Sequence, residues 1–330
     1  MIRTEGFKKQ YLQDVLYMSK RNGFEDYYDY PLKWTAMLSY EWDRNLTDCD
    51  CPYKHGMVVF DDDRVVGYLG GYYSRQSFGD KEYIYCNATR WMLDKEYRKY
   101  LFKIINEYLG VADIITDFSA SESVLNILVD LYGFKCFDNN NLRFFPIPYY
   151  GEKKVDVTNP SIHELPAEIE ILYRDHARYG MSCIRYTEKN NTGYALYKKF
   201  GSSETNSDYI RMMHVSNREL FSKHIHEIIW NVQKECFRNN GITCEVAEEM
   251  LYRIKNNLPV LCECDESLLL GEKINHPCYI KKPIKKLMLN KLGEPVSVPG
   301  LLYSEDAVVY IRREEALREK VFENIDWRMQ

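Results

Sequence analysis

One succession of elements in the first half of the sequence restricts the possible folds more than any other feature. Residues 83–91 have the composition of a strand, residues 98–109 place apolar side chains at spacings of three and four, and residues 113–118 form a second short strand candidate. Two strands joined by a helix of about three turns can pair only in parallel, through a right-handed connection. This half is therefore predicted to be mixed α/β.

The segments on either side of this unit extend the pattern. Residues 57–60 and 64–73 flank three aspartates and predict a β-hairpin. Ser119 and Glu122 have the spacing of a capping box, with Ser119 as the N-cap of a helix that Gly133 would end. Residues 134–145 are predicted to form a last strand.

The same order of elements recurs in the second half. The predicted elements are a helix at 167–179, a hairpin at 183–200, a strand at 209–215, a second helix that ends at Phe237, and a strand at 242–246. Ser216 and Glu219 have the spacing of a capping box at the start of the second helix. From the hairpin turn to the strand after the helix, the distance is 113 − 62 = 51 residues in the first half and 243 − 191 = 52 in the second. This agreement favours a diverged duplication, although a hairpin and a crossover are common in α/β proteins and do not prove kinship.

The length of the chain and one change of composition suggest two domains. The chain has 330 residues, and a stretch bounded by Pro146 and Pro160 is charged and typical of an exposed linker. We therefore predict a first domain at 1–148, a linker at 149–160 and a second domain at 161–330.

Charge and hydrophobicity limit the partners of the protein. Lysine and arginine number 44 against 49 aspartates and glutamates, so a net charge of −5 provides no global positive field for nucleic acid or anionic lipid. The sequence has no run of about 18 apolar residues, and its first residues do not resemble a secretion signal. These features predict a cytoplasmic protein that binds neither membrane nor nucleic acid.

Ten cysteines without a secretion signal are expected to be reduced thiols. Two Cys-x-Cys pairs, Cys49 with Cys51 and Cys262 with Cys264, are the candidates for a metal site. Zinc sites usually space their cysteines by two to four residues, whereas Cys-x-Cys is typical of two residues on one face of an extended segment. No metal is therefore predicted.

Roughly residues 1–146 resemble the GNAT superfamily of acyl-CoA N-acyltransferases. The resemblance rests on the hairpin, the long strand, a helix that opens near a basic residue, the parallel strand, and a second helix followed by Gly133 and Phe134. Residues 91–98, Trp-Met-Leu-Asp-Lys-Glu-Tyr-Arg, are similar to the strand end and the start of the pyrophosphate loop of that superfamily. The second half is similar in element order alone, so the resemblance implies two tandem domains with a degenerate second copy.

The resemblance implies that acetyl-CoA or another acyl-CoA is the co-substrate. Its pyrophosphate would lie at the start of the helix after the first parallel strand, where unpaired N–H groups and the helix dipole favour an anion. The superfamily's loop reads Q/R-x-x-G-x-G/A; here Arg98 matches it, but Leu101 and Lys103 replace the glycines. The residues expected to bind the coenzyme are Met92, Leu93, Arg98, Lys99, Tyr100, Leu101, Phe102 and Lys103.

Acyl transfer to an amine also implies acid and base groups. One group must take a proton from the amine, and another must return a proton to the leaving thiolate. The superfamily often uses a tyrosine four residues before the Gly-Phe pair for the second task, and Val129 stands there. Asp117 and Tyr132 are the candidate catalytic residues, with Tyr132 on another face of the helix than the superfamily's tyrosine. Asp94 is either a helix cap or a further catalyst.

The second half contains further polar candidates. Asp175 and His176 lie near the end of a predicted helix, where the dipole favours a histidine, and a role as a base is the alternative. His224 and His226 lie two apart on a helix and thus on different faces. Residues 281–286 form a basic run that is typical of a solvated loop and less often contacts a phosphate. Because no basic, glycine-rich loop precedes its long helix, this half is predicted to bind no coenzyme.

The sequence thus predicts an acyltransferase that moves an acetyl or other acyl group from acyl-CoA to a small-molecule acceptor with an amine. Similar two-part acyltransferases suggest an amino sugar in polysaccharide synthesis as one such acceptor. A first alternative is a Fem-type aminoacyltransferase, which takes aminoacyl-tRNA and which the net charge of −5 disfavours. A second alternative is a catalytically inactive binding module, which the replaced glycines favour.

Overall fold

A computed structural model describes residues 1–23, 40, 51–78, 80–118, 120–144, 149–202, 207–238, 262–270, 274–277, 279–293 and 302–304. The predicted cap at Ser119, the predicted strand at 242–246, Cys49 and Pro146 lie outside this part of the chain. The chain forms two compact units. Unit 1 comprises Met1–Phe137, Lys285–Pro299 and Tyr303–Gln330, and unit 2 comprises Asp138–Ile284 and Gly300–Leu302.

The described elements are named here in chain order. The strands are β1 (Ile2–Gly6), β2 (Met57–Asp61), β3 (Arg64–Phe78), β4 (Lys81–Leu93), β5 (Ile114–Asp117), β6 (Lys135–Phe144), β7 (Asp156–Thr158), β8 (Met181–Glu188), β9 (Asn191–Ser202), β10 (Ser207–Val215), β11 (Cys262–Asp265) and β12 (Tyr279–Asn290). The α-helices are α1 (Leu12–Arg21), α2 (Leu101–Gly110), α3 (Glu122–Tyr132), α4 (Ala167–Ala177), α5 (Arg218–Lys223) and α6 (Ile225–Arg238). Within the described residues, no helix combines the length and the apolar character that crossing a membrane requires.

The sheet of unit 1 confirms the predicted mixed α/β fold. Its strand order is β1-β2-β3-β4-β5-β12. Neighbouring strands are antiparallel except β4 and β5, which are parallel as the helical connection between them requires. The predicted hairpin is also confirmed, since β2 and β3 join at a turn in which Asp62 has a φ of 53°.

One face of this sheet forms the core of unit 1 with α2 and α3. The buried side chains of the strands include Leu69, Tyr73, Cys86 and Ile115, and those of the helices include Ile104, Ile105, Tyr108 and Leu128. The helical residues have the spacing of three and four that the sequence shows. Each large apolar side chain buried in this way stabilises the fold by about 1.5–3 kcal/mol.

The structure corrects the start of two helices in unit 1. The helix expected from residue 98 begins earlier, with the 3-10 turn Lys95–Tyr100, and becomes α-helical at Leu101. The N-cap position of α3 is Ser121, whose side chain makes no capping bond. The predicted end at Gly133 is confirmed, because Gly133 adopts the left-handed conformation with a φ of 72°.

Unit 2 has a sheet of the order β6-β11-β10-β9-β8-β7. Its parallel pair is β10 and β11, and its other neighbours in this order are antiparallel where their register is described. The predicted hairpin is confirmed as β8 and β9, with Lys189 in the turn at a φ of 55°. Its core consists of strand residues such as Ile184, Tyr197 and Met212 packed against α5 and α6.

The predicted capping box at Ser216 is wrong for a tertiary reason. The Ser216 hydroxyl accepts a hydrogen bond from the Tyr194 amide of β9 (2.8 Å). Asn217 is the N-cap instead, and its side-chain oxygen accepts from the Leu220 amide (3.1 Å). The single predicted helix is also divided into α5 and α6, with His224 between them.

The segment predicted as a linker contains a strand. Residues 151–154 are exposed, but Val155 is buried and β7 pairs with β8. The amides of Lys154 and Val155 donate to the buried Glu227 carboxylate of α6 (3.2–3.3 Å). The chain passes from unit 1 to unit 2 within β6 and returns to unit 1 within β12.

Candidate functional site

The parallel strands of unit 1 pair over a short distance only. Tyr85 to Ala88 of β4 lie opposite Ile114 to Asp117 of β5, and the described ladder ends at the pair Ala88 and Asp117. Beyond Ala88, β4 continues to Leu93 and pairs with β3. The edge of β4 that faces β5 therefore extends past the β4–β5 ladder.

A β-bulge lies just after the end of this ladder. Leu69 of β3 pairs with Trp91 and Gly70 pairs with Thr89, so Arg90 is the additional residue of β4. Arg90 has a φ of 40°, which few residues other than glycine adopt. Bulges of this kind bend a strand and increase its twist. The bulge thus turns the end of β4 away from the direction it has beside β5.

Gly70 is required by this geometry. A Cβ at this position would lie 2.8 Å from the Thr89 carbonyl oxygen of the neighbouring strand. The close approach of β3 and β4 at the bulge therefore depends on a residue without a side chain.

The predicted coenzyme residues lie along the end of β4 and the start of α2. Met92 is buried and Leu93 is half-buried, whereas Arg98, Lys99 and Lys103 are exposed. Phe102 has 55% of its surface exposed. Three exposed cationic groups and one exposed aromatic ring thus share this short segment.

The two residues that replace the superfamily's glycines point to different environments. Leu101 is half-buried and packs against the core of unit 1, and its amide donates to the Arg98 carbonyl. Lys103 is exposed. The Lys95–Tyr100 turn is wound as a 3-10 helix, so several amides of the segment are used within the turn.

The predicted catalytic residue Tyr132 lies close to this segment. Its hydroxyl donates to the Phe102 carbonyl of α2 at 3.4 Å, which brings α3 to the predicted coenzyme residues. Partial burial raises the pKa of Tyr132 above its usual value. The phenol therefore keeps its proton at neutral pH, as a proton donor must.

Asp117 ends β5 and is buried, with 6% of its surface exposed. The alternation of side chains along a strand places it on the same sheet face as Ile115, which packs in the core with Cys86. Burial raises the pKa of the Cys86 thiol to about 12, and the charge of Asp117 contributes in the same direction. Cys86 is therefore a protonated core residue rather than a nucleophile.

Asp94 has a role that the sequence did not reveal. It occupies the N-cap position of the Lys95–Tyr100 turn, as one of its two predicted roles requires, but its side chain makes no capping bond. Instead, its carboxylate accepts from Arg21 Nε (3.0 and 3.1 Å), Arg21 Nη2 (2.5 Å), Asn22 Nδ2 (2.7 Å) and Arg64 Nη2 (3.2 Å). Because these partners lie far from residue 94 in sequence, no local pattern predicts the cluster.

A second cluster of polar residues, which the sequence did not reveal, lines the face of the unit 1 sheet opposite the core with α2 and α3. Tyr85 and Asn87 of β4 both contact the Thr116 hydroxyl, at 2.7 and 3.1 Å, and all three residues are buried. Ser74 and Gln76 of β3 are buried as well and are joined at 2.8 Å. The alternating polar residues of β4 are the signal that would have indicated this face.

The candidate histidines of unit 2 do not form a common site. His176 is buried, its Nδ1 lies 2.8 Å from the Leu172 carbonyl, and burial lowers its pKa to about 4. His224 Nε2 lies 3.2 Å from Glu188, whereas the ring of His226 stands edge to face on His276 with centroids 4.8 Å apart. Among the described residues, no group of three or more His, Cys, Asp or Glu side chains is arranged to hold a metal ion.

The remaining motifs of the second half of the sequence are structural. Cys262 and Cys264 are both buried in its core on β11, as same-face residues of an extended segment. The basic run at 281–286 lies in β12 rather than in a loop. Within it, Lys281 donates to Glu266 (2.6 Å) and Lys286 is buried.

An open depression of about 570 Å³ lies beside Asn217 and is lined partly by Glu168, Tyr194 and Arg218.

Comparison with known proteins identifies the fold. No protein-family model matches the sequence, and no curated protein matches it. The glucosamine N-acetyltransferase region of a fungal multi-domain GH3 β-N-acetylglucosaminidase is similar, with a TM-score of 0.50 and 10% identity over 88% of this chain and 38% of that one. A GCN5-related N-acetyltransferase from Anabaena variabilis has a TM-score of 0.47 and 9% identity over 88% and 73% of the two chains. A putative acetyltransferase from Pyrococcus horikoshii has a TM-score of 0.43 and 13% identity over 94% of each.

At 10% identity, the similarity to the glucosamine N-acetyltransferase region concerns the fold. The chain therefore has a fold like that of the GCN5-related N-acetyltransferases, as the sequence predicted. Fold by itself does not determine activity, which depends on the residues of the site.

Proposed function

We propose that the protein transfers an acetyl or other acyl group from an acyl-CoA to a small molecule with an amine, and that unit 1 binds the coenzyme. The observation that carries this proposal is the end of the β4–β5 ladder at Ala88 and Asp117, followed by the bulge at Arg90. An extended chain with amide groups, such as pantetheine, can hydrogen-bond to a strand edge much as another strand does. The edge of β4 beyond Ala88 is suited to this contact.

Electrostatics supports a place for the pyrophosphate next to this edge. Arg98 and Lys99 are exposed in the turn that follows β4 and offer two positive charges to an anion. Met92 and Leu93 would lie along the pantetheine chain, and residues 100–103 would lie beside the nucleotide. In this arrangement Lys103 adds a third exposed cation instead of a glycine.

The proposed chemistry assigns one role to each candidate catalytic residue. Tyr132 returns a proton to the coenzyme A thiolate when the C–S bond breaks. Asp117 takes the proton that the amine loses when it attacks the thioester carbonyl. The contact between Tyr132 and Phe102 supports the first role, because it brings the phenol to the coenzyme segment.

Unit 2 is proposed to be a diverged copy of the same fold. Its ladder between β10 and β11 ends at Met212, and the register of β9 and β10 shifts between Met212 and His214, so a bulge follows the parallel pairing as in unit 1. We propose that this copy binds no coenzyme, because Ser216 and Asn217 lead directly into the short helix α5. A cytoplasmic location is likewise part of the proposal.

One observation favours a second candidate function, a binding module without catalysis. The Lys95–Tyr100 turn is wound as a 3-10 helix, and side chains stand at both glycine positions of the superfamily's loop. Such a segment offers fewer amides to a pyrophosphate than an open glycine-rich loop does. A module of this kind would bind a ligand in unit 1 without transferring an acyl group.

Calorimetric titration with acetyl-CoA, followed by thiol release across a panel of amines and amino sugars, tests both candidates. Saturable heat with amine-dependent thiol release supports the transferase, and heat without release supports the binding module. The Arg98→Ala, Lys99→Ala variant should bind acetyl-CoA at least about tenfold more weakly. The matched control is Lys8→Ala, Lys9→Ala, which removes two exposed lysines before α1. Absence of heat together with an unchanged melting temperature would refute coenzyme binding.

A further inference from the structure

The Arg21–Asp94 ion pair occupies the start of the turn that leads into the proposed coenzyme segment. Asp94 follows β4 directly, its amide donates to the Val66 carbonyl (2.8 Å), and its own carbonyl accepts from the Tyr97 amide (2.9 Å). The main chain of Asp94 thus fixes where the turn begins. The direction of its side chain decides whether a negative charge faces the first amides of the turn.

An aspartate at an N-cap position normally points its carboxylate at the amides of the first turn. Here the carboxylate makes no such bond. Arg21 provides three of its hydrogen bonds, and Asn22 provides another from the end of the same helix. Arg21, the last residue of α1, and Asn22, which follows it at the C-cap position, therefore hold the carboxylate away from the turn.

Arg21 is the principal partner of this carboxylate. The Asp94 side chain is 6% exposed and the Arg21 side chain 24%, so their attraction is only weakly screened by solvent. Arg64 reaches the same carboxylate with one Nη2 atom at 3.2 Å, but its side chain is 54% exposed and lies 3.9 Å from Glu96 as well. Arg21 is also anchored independently, because its Nη2 donates to the Val65 carbonyl (2.5 Å).

We propose that Arg21 is a positioning residue for coenzyme binding, which neutralises Asp94 and keeps its carboxylate from capping the turn that receives the pyrophosphate. The inference rests on the proposed function of unit 1. Without Arg21, the carboxylate keeps only its bonds from Asn22 and Arg64. Its other oxygen positions are then open to the amides of the turn, and its negative charge repels the phosphates. Arg21 acts through Asp94 and does not contact the coenzyme itself.

The charges of the three side chains give an order of affinities. The sum for Arg21, Arg64 and Asp94 is 1 + 1 − 1 = +1 in the native chain. It is 0 in Arg21→Met, +2 in Asp94→Asn, and +1 again in the double variant. If the carboxylate is what opposes binding, removing it restores the affinity that the loss of Arg21 costs. If the ion pair only supports the fold, both single variants weaken binding and the double variant binds no better than either.

Titration of acetyl-CoA into these four proteins tests the inference, with melting temperatures measured alongside. We expect Arg21→Met to bind about tenfold more weakly, Asp94→Asn to bind at least as tightly as the native chain, and the double variant to bind within about threefold of it. Weakening by Asp94→Asn, or a double variant as weak as Arg21→Met, would overturn the inference while leaving the proposed function intact. Absence of binding by the native chain would refute the proposed function itself.

A folding defect would not prevent the test. If Arg21→Met does not fold, Arg21→Lys keeps the charge but offers a single donor group in place of the planar guanidinium. Its acetyl-CoA affinity should then fall by less than tenfold and return to the native value when Asp94→Asn is added. Unrestored affinity in that pair would overturn the inference equally.

Discussion

Gly71 of β3 lies directly against the Tyr108 hydroxyl of α2, so closely that a Cβ at position 71 would be 2.5 Å from that oxygen. The hydroxyl itself donates to the Gly70 carbonyl (2.7 Å) and lies 3.3 Å from the Cys86 thiol. The packing of α2 on the sheet therefore depends on the absence of a side chain at Gly71. Since α2 continues the turn that follows β4, this contact also sets the position of the proposed coenzyme segment.

Gly71→Ala should destabilise the protein by about 1–3 kcal/mol, because the added methyl group forces Tyr108 to shift within a close-packed core. Urea denaturation measures this change. Tyr108→Phe alone should cost about 1 kcal/mol for the lost hydrogen bond. The double variant should be less destabilised than the sum of the two, since the hydroxyl that the methyl group meets is gone. Additive costs would show that Tyr108 is not the residue that excludes a side chain at position 71.

Gly133 and Gly110 form a matched pair of helix-end glycines. Gly133 has a φ of 72°, whereas Gly110 is the last residue of α2 and a Cβ there would meet no atom within 4 Å. Gly133→Ala should destabilise the protein by about 1 kcal/mol because alanine is strained in the left-handed region. Gly110→Ala should stabilise it by up to about 1 kcal/mol because alanine favours the helix. Thermal unfolding of both variants measures the difference, and effects of the same sign would contradict this explanation.

His176 makes the stability of the protein depend on pH. Burial lowers its pKa from 6.5 to about 4, so between these values the unfolded chain binds a proton that the folded chain does not. This residue therefore does not lower the free energy of unfolding above pH 6.5, but it lowers it progressively as the pH falls toward 4. The loss is about 2 kcal/mol at pH 5. His176→Gln should flatten the dependence of the free energy of unfolding on pH in this window.

His214 provides the comparison for that experiment. Burial lowers its pKa to about 4 as well, so the single variant His176→Gln retains part of the slope. Urea denaturation at pH 7, 6 and 5 of the native chain, both single variants and the double variant separates the two contributions. An unchanged slope in the double variant would show that other groups cause the dependence.

The elements that depend on local sequence were predictable. The hairpins, the crossover from β4 to β5 and the end of α3 at Gly133 follow from periodicity and from glycine's left-handed conformation, which neighbouring residues determine. The strand partners of β6 and β12 were not predictable. β6 pairs with β11 and β12 pairs with β5, and nothing within either strand specifies a partner more than 100 residues away.

At the candidate site, contacts between residues that are distant in sequence also limited what could be predicted. Local patterns suggested caps at Asp94 and Ser216, but tertiary partners take both side chains: Arg21 holds the first and the Tyr194 amide donates to the second. The bulge at Arg90 depends on the register between two strands, which a single strand does not encode. Tyr132 became a candidate through the resemblance at Gly133 and Phe134, whereas its contact with Phe102 depends on the packing of α3 on α2, which the sequence does not show.

Glu227 should stabilise the segment that was predicted as a linker. Its buried carboxylate accepts from the Lys154 and Val155 amides, so Glu227→Ala leaves these donors without their partner. The expected loss is about 1–3 kcal/mol in the free energy of unfolding. Hydrogen exchange should also become faster at the two amides, while Glu152→Ala, at an exposed position, should leave both measurements unchanged. Slow exchange in the Glu227 variant would show that other contacts hold the segment.

The proposed proton donor gives the most direct test of catalysis. Tyr132→Phe removes the hydroxyl but keeps the ring, so acetyl-CoA affinity should stay within about twofold of the native value. The turnover of the thiol-release assay should fall by about 10²-fold, because the thiolate then leaves without a positioned donor. Tyr150→Phe, at a residue that is 87% exposed, is the matched control and should retain full activity. If the Tyr132→Phe variant binds acetyl-CoA and turns over normally, the thiolate takes its proton from another group or from water. If the variant binds more weakly but its turnover is unchanged, the hydroxyl only supports the coenzyme segment through the Phe102 carbonyl.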